Sequence, residues 1–225
     1  MSTSRREFLE QFTTGAVAFG ALPLSLRAMV PGAEPALPAS ESWDLSWVNR
    51  LTGKHKAIFD VPEVESGYGV WRATIWANQY NQVLGIPHKE LSSVVVLRHN
   101  GIVLAMQQAF WDKYGLGKAK NVLHPLTQEP TDKNPALLSS TRNEVPAQMD
   151  ALALDQYVAR GGIALACNLA FDDCVQLVKK HDNVADEEAR TRAKAAMVPG
   201  VVLQPSGVFA ALRAQEAGCA YLRAS

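Results

Sequence analysis

The 225-residue chain carries 22 Lys plus Arg against 22 Asp plus Glu, with 48% hydrophobic and 20% charged residues. That balance excludes an intrinsically disordered chain, and it leaves no cationic excess to condense on a phosphate backbone, so nucleic acid is not an expected partner. The length argues for one domain, and no segment past the N-terminus is apolar for the roughly 20 residues that a bilayer span needs, so no membrane insertion of the mature chain is expected.

The chain opens with Ser4-Arg5-Arg6-Glu7-Phe8-Leu9-Glu10, which resembles a twin-arginine export pattern with Glu10 in place of the usual final Lys. An apolar run from Phe12 to Leu26 and small residues up to Ala33 follow. Together they predict a removable signal over residues 1–33 and a periplasmic or otherwise exported location. Its loss would leave a formal charge of about −1. Residues 34–53, introduced by Pro31, Pro35 and Pro38, read as a flexible linker.

The pattern changes at Lys54. Residues 54–61 form a strand candidate ended by Pro62, and 68–84 have helical spacing closed by Gly85. Residues 92–97, Ser-Ser-Val-Val-Val-Leu, read as a strand buried on both faces, and 101–114 as a second helix. A polar insert with Pro125, Pro130 and Pro135 occupies 115–146. Then come a helix over 149–160, the break Gly161-Gly162, a strand over 163–167, and helices over about 169–180 and 186–196. A strand over 201–204, a helix over 206–216 and a last strand over 219–222 end the domain, which runs from 54 to 225. Strands without inside/outside alternation, interleaved with helices, predict an α/β fold: a three-layer α/β/α sandwich on a mostly parallel five-stranded sheet. Ligands and reactive groups in such sheets sit beyond the carboxyl ends of the strands, here after Val61, Leu97, Ala166 and Leu203.

Three cysteines, Cys167, Cys174 and Cys219, allow one disulfide plus a thiol or three thiols. Cys167 ends a strand just before a helix, whose N-terminal dipole would favour a thiolate; the alternative is a small buried residue. His99, after the second strand, is either an acid/base or ligand group or a cap of the next helix. Asn168, Ser206 and Gly207 are candidate binding residues, with backbone amides able to hold an anion, although Ser206 is equally a plain N-cap. The aromatics Trp71, Trp76, Phe110, Trp111 and Tyr114 read as core or subunit contacts, or as an apolar pocket for haem with His99 or Met106 as ligand. A metal site from His99, His124 and an acidic loop residue is the remaining cofactor reading. There is no G-x-S-x-G elbow, Walker loop or dinucleotide fingerprint.

Several stretches align with one family. These are Asn78-Gln79-Tyr80-Asn81, His99-Asn100-Gly101-Ile102, Gly162 to Asn168, Met197 to Gly207 and Gly218-Cys219-Ala220-Tyr221-Leu222-Arg223. In order and spacing they resemble the DsrE/DsrF-like family, in particular its exported members, from about Lys54 to Arg223. The resemblance implies a three-layer α/β/α domain assembled as a homo-oligomer, a trimer or hexamer. It also implies sulfur metabolism through a persulfide, carried by position on Cys167, with a sulfur-donor protein or small thiol as partner. The insert at 115–146 and the export signal depart from the family pattern. The alternative function is a non-catalytic module of the same fold that holds a small molecule or a cofactor such as haem.

Overall fold

The computed structural model describes residues 43–225; the expected signal over 1–33 and residues 34–42 of the expected linker lie outside the described residues. Continuous apolar runs form the strands β1 (His55–Val61), β2 (Leu91–Leu97) and β3 (Ile163–Cys167), joined by the short β4 (Val202–Gln204) and β5 (Ala220–Arg223). All pairings are parallel, in the order β4-β3-β2-β1-β5. The expected α/β sandwich is therefore present, and its sheet is wholly parallel.

Because β1 to β4 step in one direction, right-handed crossovers place their helices on a single face. These are α1 (Tyr68–Leu84), α2 (Gln108–Tyr114), α3 (Leu116–Ala119), α4 (Leu154–Ala159), α5 (Asn168–Asp182) and α6 (Asp186–Ala195). Phe59, Val95 and Leu97 meet Trp71, Trp111 and Phe171 in the core there. The return from β4 to the far edge reverses direction, so α7 (Gly207–Glu216) covers the opposite face, where Ala210 and Ala214 pack on Ile58, Val94, Val96 and Leu165.

Three expectations need correction. Residues 43–53 are not a tether. A 3-10 helix (Ser46–Arg50) lays Trp47, 1% exposed, on the α7 face, and its indole donates to Gln204 Oε1 at 3.1 Å. The helix expected over 101–114 is interrupted. His99–Ala105 is a 3-10 helix, after which Met106 bridges to Met197 and Val198 N–H donates to Ala105 O; the backbone is spent on that pairing until Gln108. The helix expected over 149–160 is a 3-10 turn (Ala147–Leu152), then α4, separated by an extended Ala153 where Leu154 N–H donates to Ala136 O. The insert at 115–146 is folded onto the domain. Asn134, wholly buried, donates from Nδ2 to the carbonyls of Leu104 and Met106, and Tyr68 donates to Pro125 O.

Candidate functional site

The connection after β3 goes to one face of the sheet and that after β4 to the other, so a crevice opens between their carboxyl ends. Cys167 pairs in register with Gln204 at this point. It is the N-cap of α5, and α7 starts across the crevice with Ser206 as N-cap. The amides of Ala170, Gly207 and Leu169, at the starts of these two helices, favour the thiolate electrostatically, although the Cys167 side chain makes no capping hydrogen bond.

Arg98 follows β2 on the same rim. Its guanidinium grips the buried Asp60 carboxylate in a two-pronged contact, Nε to Oδ1 at 2.6 Å and Nη2 to Oδ2 at 2.7 Å, while the Tyr221 phenol donates to Oδ2 at 2.6 Å. The Asp60 hydrogen bond raises both the Arg98 and the Tyr221 values above their ordinary ones. A Cβ at Gly207 would lie 2.6 Å from Arg98 Cδ, so only glycine lets the arginine stem lie against the start of α7. Arg98 thereby stays within electrostatic reach of Cys167.

Burial dominates the thiol all the same. Cys167 is 6% exposed, and desolvation pushes its value up against the three amides and Arg98, which pull it down. The expectation of a lowered value is not met in the resting protein, because losing water costs a thiolate more than the surrounding dipoles return. Cys174 is pushed up to about 12 by burial, Cys219 is raised for the same reason, and all three cysteines are free thiols.

His99 is exposed, in a left-handed conformation with φ of 48°. Arg98 Nη1 lies 2.8 Å from its Nδ1; a guanidinium can only donate, so Nδ1 accepts and a neutral ring carries its proton on Nε2. Ser206 Oγ accepts from Phe209 N–H at 3.0 Å, which is the plain cap. The Asn168 carboxamide accepts from Arg190 on α6 and is committed to that contact. Cys167, Gly207 and the Arg98-His99 pair are thus brought to one rim, with Asp60, Arg98 and Tyr221 the members that sequence reasoning missed.

The candidate cofactor ligands lie in different surroundings. Met106 is wholly buried in the main core, whereas His99 is on the surface. His124 spends Nε2 on Glu144 O at 2.9 Å and Nδ1 on the amides of Leu126 and Thr127. Among the described residues no three His, Cys, Asp or Glu side chains cluster as a metal site would require, and no helix is long and apolar enough to cross a membrane. A recess of about 400 Å³ lies between Glu63, Asn100 and Lys120, and Cys167 does not line it. No protein-family model matches the sequence, and no curated protein is significantly similar to it.

Proposed function

We infer that this is an exported DsrE-like protein that handles sulfur on Cys167. The observation that carries the reading is the placement of Cys167 at the sheet's crevice, as N-cap of α5 and across from the start of α7, where the nearby amides and Arg98 favour its anion. Such a setting gives more to an anion than to a thiol, so it favours a bound persulfide anion over the resting group. In the reaction the Cys167 sulfur attacks the outer sulfur of a donor persulfide, R–S–SH. A new S–S bond forms on the protein, the donor's S–S bond breaks, and the proton carried by the resting Cys167 ends on the released thiol. No external oxidant or reductant is consumed. The donor is a small persulfide or a sulfur-donor protein.

Supporting the assembly reading, α7 exposes Val208, Phe209 and Leu212, and the edge strand β5 exposes Tyr221 and Leu222, apolar side chains suited to a homo-oligomer contact. Export rests on the Ser4 to Glu10 pattern and the apolar run behind it.

The direct measurement is intact-mass spectrometry after incubation with a low-molecular-weight persulfide. The expected result is a gain of one sulfur atom per chain, absent in Cys167→Ser and retained in Cys174→Ser and Cys219→Ser. A gain that survives Cys167→Ser, or no gain in the unaltered protein, rules the reading out.

A further inference from the structure

At the other end of the sheet, where β2 and β3 begin, lies a cavity of about 620 Å³ whose walls come from α1, the 3-10 helix Ser46–Arg50 and the loop between α4 and β3. That size suits a metabolite. Arg50 and Arg160 both line it, together with His88, Ser92 and Trp76, and none of its lining residues is acidic.

Both guanidinium groups are held without being neutralised. Arg50 donates from Nη2 to the carbonyls of Gly161 and Gly162, at 3.1 Å each. Arg160 donates from Nη2 to Ala151 O at 2.5 Å and Thr74 Oγ1 at 3.4 Å. In each case Nε and Nη1 have no hydrogen-bond partner among the described residues, and neither arginine forms an ion pair with a described carboxylate. Asp44 senses Arg50 only as a minor, longer-range influence. Because Arg50 bonds the two residues that follow Arg160, the two cations are fixed to one short loop. A planar fork with unused donors, already immobilised by neutral carbonyls, loses little freedom when an oxyanion arrives. Two of them on a cavity without carboxylates select for negative charge. The half-buried ring of Trp76 supplies an apolar wall.

We propose that this cavity binds a small organic oxyanion, its carboxylate or phosphate taken by Arg50 and Arg160 and its apolar part laid against Trp76. The site is at the opposite end of the strands from Cys167, so it stands or falls independently of the sulfur chemistry.

Isothermal titration of the full chain with benzoate tests it, with benzyl alcohol as the uncharged counterpart, inorganic phosphate as the bare oxyanion, and ionic strength held constant. The expected result is saturable binding of benzoate at one site per chain. Benzyl alcohol should bind at least about tenfold more weakly, and Arg160→Gln or Arg50→Gln should lose about tenfold in affinity. Saturable binding of phosphate alone, lost in the same variants, also supports the oxyanion site. Failure of both benzoate and phosphate to saturate overturns the proposal, as does equal affinity for benzyl alcohol or an unchanged affinity in both variants. The comparison of charged with uncharged ligand uses the unaltered protein, so it decides even if a variant misfolds.

Discussion

Cys167 sits under two opposing influences. Loss of water raises the cost of its thiolate, while the amides of Ala170, Gly207 and Leu169, and Arg98, lower it. The net shift is upward, so the protonated form prevails at neutral pH and the reactive fraction grows as pH rises beyond the usual thiol value of about 8.5. Alkylation by iodoacetamide, followed by peptide mass spectrometry, is expected to titrate with a midpoint above that value. Replacing Arg98 alone would strand the Asp60 charge, so the informative variant is Asp60→Asn with Arg98→Gln, which removes both ions. It is expected to move the midpoint further up and to slow labelling at a fixed pH, because one stabiliser of the anion is gone. An unchanged midpoint would mean that Arg98 serves the fold and not the sulfur.

Among the elements, the insert shows how a buried side chain helps to hold a loop. Asn134 reaches the carbonyls of Leu104 and Met106, left open where the chain departs from helix, and its own Oδ1 accepts from Ala136 N–H at 2.9 Å. Asn134→Ala is expected to cost about 2–3 kcal/mol in urea denaturation, the price of buried groups left without partners. The strands were legible from the sequence, since Val94 to Leu97 and Ile163 to Cys167 must be apolar throughout to be buried on both faces. Gly85 likewise marks the end of α1 by its left-handed conformation. The break at Met106 was not legible, because its cause is a pairing with Met197 far along the chain. The position of Cys167 at a strand end could be read; the second helix N-terminus beside it could not, for it depends on β4 lying next to β3. The Asp60 network did leave a trace. A carboxylate in the middle of Ile58-Phe59-Asp60-Val61 calls for a buried cation, although nothing nearby in sequence names Arg98.

At the scale of the whole molecule, the described residues cover the two faces of the sheet unequally. Among them, one face carries six helices; the other carries α7 and the short turn that holds Trp47. Val208 and Leu212 on α7 remain 55% and 56% exposed. If this stretch joins subunits, light scattering after gel filtration should find an oligomer for the unaltered protein and a smaller species for Leu212→Glu, with circular dichroism unchanged. A parent protein that elutes as a monomer at micromolar concentration would dismiss the assembly.

The strand order has one more consequence. β1 lies between β2 and β5, and Tyr221 and Ala224, from the last residues of the domain, bond to the side chain and the carbonyl of Asp60. During translation a nascent chain holds β1 with one flank open until residues 220–223 have left the ribosome, and pairing of such distant segments is slow to form. Closure of the sheet therefore waits on β5, and a chain cut before Ala220 would leave one edge of β1 unpaired and the Asp60 carboxylate without its Tyr221 donor.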